Sequence, residues 1–460
     1  MRKNSTTQNT GRGRTSPPER HRWVDQWLVA KGQPLQTLVD GVVALVALRE
    51  ERQGLRQRAR RPTDAINHLA SINVIVSNLA YAVLVPPPTG KLAISTRSTT
   101  GTRYDNRALG PKPLRALLGS LEDLELLECG WTKRRGESSS IRPLSRCMEM
   151  VHRLGVTLAD FGRDEGEEVI VLARNTPRPQ GAAKHREMIA YTDTKATTAY
   201  RAQVRGLNTF LASADVAFED DGLAPAIDCH QRGLRRHFTI LKDQPERFDQ
   251  GGRLFGGFWM AMKSDRRAGI RINSEPVVEL DYSSMFTRLA YATLGASPPA
   301  GDLYAIDGAS DHRSGIKMAM NIFLFDTNLS RSKWPSEIGV GMGSDREAFD
   351  GTVPAATAYD GLLPKGWTVA VTRKAILKQH PALKPAWGRG LGYRLMFEES
   401  RIMLAVLESL RAQNIPALPL HDALLVPRSS SLTARLAMEQ LSKQITGIEL
   451  PVSEKSVHPQ

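Results

Sequence analysis

Between Asn67 and Val85 the chain reads NHLASINVIVSNLAYAVLV, a largely apolar, helix-like stretch. Pro86, Pro87 and Pro88 end it, because proline cannot continue a helix. Before it, Trp23, Trp27 and Leu28 open a first helical region that the apolar run Val42 to Leu48 continues. From Pro113, PLRALLGSLEDLELLECG sets Leu114, Leu117, Leu118, Leu121 and Leu124 at helical spacing on one stripe. Leu127 extends the stripe, and Gly130 is a plausible stop. WTKRRGESSSIRPLS is polar and basic with a glycine near its middle, which fits two short strands joined by a turn. RCMEMVHRLGV is helical again.

From about residue 165 to 250 the pattern is mixed. RNTPRPQGAAKHRE has the Pro, Gly and charge content of a linker or exposed loop. TKATTAYRAQVRGLNTFLASADV predicts a helix with a basic face. DCHQRGLRRHFTILKDQPERFDQGGRL is basic too, either a solvated surface or a nucleic-acid track. Further on, VVEL (Val277 to Leu280) suits a strand, and YSSMFTRLAYATLG turns helical. FEESRIMLAVLESLRAQN places Ile402, Ala405, Val406 and Leu410 on one helix face. IPALPLHDALLVP then predicts a strand, a tight turn carrying His421 and Asp422, and a second strand.

Composition narrows the function. The 460 residues allow two or three domains, and 62 lysines and arginines against 48 acids give a net charge of +14. That excess favours a polyanionic partner, nucleic acid or an acidic membrane surface. No uninterrupted apolar run of about 18 residues occurs, so no membrane span is expected. The first 20 residues are basic and polar without an apolar core, which excludes a secretory signal and suggests a disordered basic tail. Cys129, Cys147 and Cys229 lie too far apart for a CxxC pair and fit idle thiols in a reducing cytoplasm.

Three segments carry candidate chemistry. Asp281, at a strand end beside a helix start, is placed either to hold a metal or to cap the helix. The His421–Asp422 pair sits at a hairpin tip, where a carboxylate among apolar strands calls for a partner such as a cation. An exposed turn bonding its own backbone is the other reading. Arg313, Lys317, Asn321 and Phe325 follow one another at four-residue steps. On a helix they would share a face with two cations for a triphosphate and an aromatic end for base or sugar, or else simply point to water.

Two resemblances follow. Helix, basic hairpin, helix within residues 21–165 resembles a winged-helix module, whose wing residues Lys133, Arg134 and Arg135 would reach phosphates. A small helical domain with a solvated loop is the alternative. Residues 250–430 resemble the palm and fingers of family A DNA polymerases. The family's DYSxxxxR motif is here DYSSMFTR, which gives Asp281 the first metal-ligand role, the Tyr282 carbonyl a backbone-ligand role and Arg288 the motif's terminal arginine. Arg313 and Lys317 match the fingers helix, while Asn321 and Phe325 stand where the family has Phe and Tyr. His421 and Asp422 match the last motif, and GGRLFGGFW gives Arg253 a primer–template role.

The resemblance implies an α+β right-hand polymerase with an antiparallel palm sheet and helical fingers, preceded by a mainly helical winged-helix-like domain. Residues 166–250 would be a linker or thumb-like basic region, and 251–460 the polymerase core. It implies a monomeric, template-dependent DNA polymerase using template, primer, nucleoside triphosphates and two Mg²⁺ ions, with Mn²⁺ as a substitute. Asp281 and Asp422 would be catalytic, with Lys317 donating a proton to pyrophosphate. A plasmid, phage or mobile element would suit such a layout. Ala423 stands where an acid commonly follows HD, as in single-subunit phage RNA polymerases, and keeps an RNA-making enzyme or primase open. Phe286, five residues after Asp281, is a bulky group at the position that excludes the ribose 2′-hydroxyl, and leans toward deoxynucleotides. A DNA-binding replication initiator without catalysis is a third reading.

Overall fold

The computed structural model describes residues 21–54, 58–95, 101–132, 137–176, 185–241, 244–334 and 361–456. The expected tail, 1–20, and the wing residues Lys133, Arg134 and Arg135 lie outside them. Contacts divide the chain into two compact units, Met1–Gly101 with Asp105–Gly166, and Thr102–Tyr104 with Glu167–Gln460.

The first unit runs β1 (Arg22–Trp23), β2 (Leu28–Ala30), α1 (Gln33–Arg52), α2 (Pro62–Leu84), β3 (Leu92–Ile94), a 3₁₀ turn (Arg107–Leu109), α3 (Pro111–Asp123), β4 (Leu127–Gly130), β5 (Ser139–Pro143), α4 (Ser145–Arg153) and β6 (Phe161–Arg163). The sheet order is β1-β3-β5-β4, and β2 pairs with β6. The leucine stripe of α3 is buried at Leu114, Leu117, Leu118 and Leu121, against Leu38 and Val42 of α1 and Ile72 and Ile75 of α2 in one core.

Two expectations change here. Trp23 and Leu28 stand in short strands, and the helix starts only at Gln33, where Pro34 in its first turn fits a helix start. Leu127 opens β4 instead of extending α3, because Glu125 at φ 58° turns the chain out of the helix. Helix α2 is long and apolar enough to cross a membrane by length and composition, yet 61% of its most apolar window is buried inside the protein.

The second unit comprises β7 (Ile170–Thr176), β8 (His185–Met188), α5 (Lys195–Ser213), β9 (Val216–Phe218), β10 (Leu234–Ile240), β11 (Gly251–Gly256), α6 (Phe258–Ala261), β12 (Ile270–Ile272), β13 (Glu275–Tyr282), α7 (Met285–Thr293), α8 (Arg313–Phe325), α9 (Val369–Gln379), α10 (Leu391–Ala412), β14 (Leu418–Leu420), β15 (Ala423–Pro427), α11 (Ser431–Thr446) and β16 (Val452–Ser456). One sheet is ordered β11-β10-β7-β8; the other is ordered β14-β15-β13-β12-β9, with β16 also paired to β13. The β13 pairings are all antiparallel. The stretch 166–250, expected as a linker or thumb-like region, supplies β7 to β10 and α5. It buries Ile170, Leu172, Val204, Leu207 and Phe238 in the same core as β13 and α10.

Candidate active site

Strand periodicity fixes the first carboxylate. In β13, Val278, Leu280 and Tyr282 are buried while Glu279 and Asp281 alternate with them on the more open face. The partner strand fixes the second. Asp281 is opposite Ala423 in the β13–β15 ladder, so Asp422 adjoins that pair, and the Tyr282 N–H donates to the Asp422 carbonyl at 3.3 Å. The β14–β15 turn consists of His421 and Asp422, since Leu420 pairs with Ala423. Trp259, fully buried, donates its indole N–H to the Pro419 carbonyl at 2.8 Å and pins the strand leading into the turn. Proline is tolerated in β14 because that strand lies at the sheet edge.

Asp281, Leu420, His421, Asp422 and Ala423 line a cleft of about 220 Å³ with Met260, Arg267 and Glu279 on its walls. Burial, and then the neighbouring charge of Asp422, push the Asp281 carboxyl above the ordinary aspartate value. Lys455 of β16 contacts Asp281 Oδ2 and lies 3.4 Å from Glu279 Oε1. Burial alone would depress this lysine, but its bond to Asp281 outweighs that and holds the ammonium above the ordinary lysine value. Two carboxylates sharing a cleft, one already contacted by a cation, make a hard-oxygen donor set that fits Mg²⁺ or Mn²⁺. Among the described residues no group of three or more His, Cys, Asp or Glu is spaced to hold one ion.

Arg253 sits in β11 behind two left-handed glycines. Gly252, at φ 83°, would bring a Cβ within 2.8 Å of the Ser400 hydroxyl, so only glycine allows this approach to α10. Arg253 forms a two-pronged pair with Glu399 and lies 5.3 Å from the Phe286 ring centre. Phe286 in turn meets Phe325 edge-on at 5.5 Å, and Phe325 meets Tyr393 at 5.2 Å. His421 packs edge-on against Phe255 at 5.1 Å.

Other expected site residues stand differently. Tyr282 is buried and its hydroxyl donates to the Met438 carbonyl at 2.7 Å, so its ring does not face a nucleotide and only its backbone carbonyl is left for that role. Arg313 and Lys317 are exposed, Asn321 is buried and Phe325 is half-buried, so these four do not share one face. With 3.6 residues per turn, each four-residue step drifts by about 40°, which carries Asn321 inward. Arg313 pairs with Asp302 at 2.5 and 3.1 Å, and that bond raises its pKa. Arg288 donates to the Ser283 carbonyl at 3.1 Å, bracing the turn after β13.

The sequence reading passed over Glu279, Arg267, Glu399 and Lys455. Glu279 precedes Asp281 by two residues and shares its strand face, a signal within reach. Glu399 lies three and seven residues before Ile402 and Val406, so the helix period already put a carboxylate on the buried face. Lys455 carries no local signal, because only the β13–β16 ladder brings it to Asp281.

No protein-family model matches the chain, and no curated protein matches it. Among solved structures it is similar to the POL domain of Pol1 from M. smegmatis, in a complex with DNA primer-template and dNTP, with 10% identity and a TM-score of 0.30. The match covers 56% of this chain and 51% of that one, so the chain spans about half the length of that neighbour.

Proposed function

We propose that the second unit is the catalytic core of a template-dependent DNA polymerase with a right-hand palm and fingers. The observation that carries this reading is the convergence of Asp281 and Asp422 on one cleft from strands 141 positions apart (422 − 281). Asp281 and Asp422 would hold two divalent ions, with the Tyr282 carbonyl as a further oxygen. Ions so held would supply the chemistry of a two-metal site, activation of a 3′-hydroxyl and neutralisation of charge on a leaving pyrophosphate.

The chain's own groups do the remaining work by position and charge. Phe286 bounds the sugar position, with Arg253 and Phe325 packed against it. Arg253, buried in its pair with Glu399, braces β11 against α10 and reaches the primer–template backbone only if that pair opens. Lys317 and Arg313 supply cations for the triphosphate, Arg313 after leaving Asp302, and Lys317 donates a proton to pyrophosphate. Asn321 enters only if α8 rotates on nucleotide binding. His421 and Arg288 steady the hairpin and the turn that carry the two aspartates.

The first unit fits a winged-helix-like DNA-binding module in a replication protein of a plasmid, phage or mobile element. The order α2, β3, 3₁₀ turn, α3, β4, β5, with β3 antiparallel to β5, supports this. Lys112 and Arg115 lie on the exposed side of α3, where phosphates could be contacted. A cytoplasmic monomer is the matching state.

Primer extension with deoxynucleotides and Mg²⁺ tests the reading. Asp281→Asn and Asp422→Asn should each abolish extension while the folded state persists, and full activity in either variant would reject the assignment. Ala423, in place of a further acid, favours one second reading, an RNA-making enzyme on the same palm. Running the assay with ribonucleotides, with and without primer, separates the two.

A further inference from the structure

Lys455 has no place in the chemistry above, yet it is the cation in contact with Asp281. It stands directly across from Glu279 in the β13–β16 ladder, and Ser453 stands across from Asp281. Cross-strand neighbours share a face, so the ladder register itself presents the lysine to both acids. Arg267 approaches the other oxygen of Glu279, Nη1 to Oε2 at 4.0 Å. Glu279 therefore has two cationic neighbours, whereas the contact to Asp281 is made by Lys455.

We propose that Lys455 is a built-in counter-cation of the metal site, which holds Asp281 while no ion is bound and must leave that carboxylate before Asp281 can serve a divalent ion. The proposal rests on the reading of Asp281 and Asp422 as metal ligands. An ammonium and a metal ion at the same carboxylate oxygen repel each other and compete for its lone pairs. Lysine suits an occupant that has to move, being a flexible, strongly hydrated point charge. Its side chain is 55% exposed, so it can swing to water without opening the core. The contrast is with Arg253, whose fork is buried and fixed on Glu399. The consequence is a threshold: the ion-free carboxylates are kept from repelling each other apart, and ion binding is weakened by the cost of displacing the lysine.

The test is Mn²⁺ binding to the full chain without nucleotide or DNA, followed by the electron spin resonance of free Mn²⁺. Lys455→Met should bind Mn²⁺ roughly two- to five-fold more tightly, the range that an ion pair of this exposure sets. Lys455→Arg, which keeps the charge, should bind no more tightly than the parent. Lys443→Met, which removes a charge paired with Glu449, should leave binding unchanged. Unchanged or weaker binding in Lys455→Met, or equal tightening in Lys443→Met, overturns the proposal. Asp281→Asn separates the two levels: if it binds Mn²⁺ as well as the parent, the metal-site reading itself fails. If it loses binding while Lys455→Met changes nothing, only the role of the lysine fails. A measurement on the unaltered protein stands beside these variants. Acylation of Lys455 by an amine-reactive ester, read by mass spectrometry against Lys443, should rise when Mn²⁺ is added, and no rise counts against displacement.

Discussion

Arg253 and Glu399 meet through two hydrogen bonds of 2.7 Å, Nε to Oε1 and Nη2 to Oε2, with the side chains 6% and 0% exposed. The pair joins β11 to α10. Burying two charges is costly, and removing one partner strands the other, at about 3–5 kcal/mol. Glu399→Ala should therefore lower stability by about that much in urea unfolding, and Glu399→Gln by less because it keeps a hydrogen-bond acceptor. Arg253→Lys should lose the two-pronged geometry and depress primer extension more than stability. A Glu399→Ala variant as stable as the parent would show that the pair does not hold the site together.

In the proposed reading the sugar position depends on a chain of rings. Gly392 on α10 lies so close to Phe325 that an added Cβ would come within 2.6 Å of the ring, and Phe325 leans on Phe286. Gly392→Ala should push Phe325 toward Phe286, cost about 1–3 kcal/mol by overpacking and disturb nucleotide selection. Phe286→Ala removes the bounding ring and should raise ribonucleotide incorporation relative to deoxynucleotide by roughly ten-fold or more. The ratio of kcat/KM for the two nucleotide sets checks both, and an unchanged ratio in Phe286→Ala removes the ring from sugar selection.

Much of this is legible in the sequence. Periodicity marks α3, α7 and α10, apolar runs mark α2 and β13, and a two-residue turn between apolar runs marks the hairpin of His421 and Asp422. Local pattern stops where long-range pairing begins. The strands around Trp23 and Leu28 exist because they pair with β3 and β6, partners 70 and 135 residues away (93 − 23 and 163 − 28). Lys455 reaches Asp281 only through a ladder spanning 174 positions (455 − 281). On α8 the four-residue steps drift off a single face, since four is not the helical period, and the drift turns Asn321 inward.

His421 occupies the first position of a two-residue hairpin turn with φ 64°, a conformation that favours glycine. Holding a histidine there costs about 1 kcal/mol, which the rest of the hairpin must offset. His421→Gly removes that strain and the ring contact with Phe255 together, so stability should stay within about 1 kcal/mol of the parent. His421→Ala keeps the strain, loses the ring and should be the less stable of the two. If the ring steadies the primer end or the turn, both variants lose primer extension although the glycine variant folds well. Full activity in His421→Gly would leave the ring without a role.

The acid response of the second unit should be set by Glu168. Arg201 donates to it through Nε and Nη2, both at 3.0 Å, and Arg103 through Nε and Nη2 at 3.0 and 2.7 Å. Asp193 accepts from the same two arginines at 2.6 and 3.1 Å. Burial alone would raise Glu168, but the bonds from Arg201, the Ile170 N–H and Arg103 outweigh it and hold the carboxyl below its ordinary value. Asp193 is lowered chiefly by Arg201. Acids depressed in the folded state bind fewer protons there than in the unfolded chain, so their stabilisation is present above the ordinary carboxylate range and is lost as pH falls through the folded values. The melting temperature should stay level between about pH 7 and 5 and fall steeply below about pH 4. Glu168→Gln should lower it near neutrality and by progressively less as the pH falls through the folded value of Glu168, and so flatten the curve. Thermal melts of both proteins across this range decide the matter, and parallel curves would place the acid sensitivity in other carboxylates.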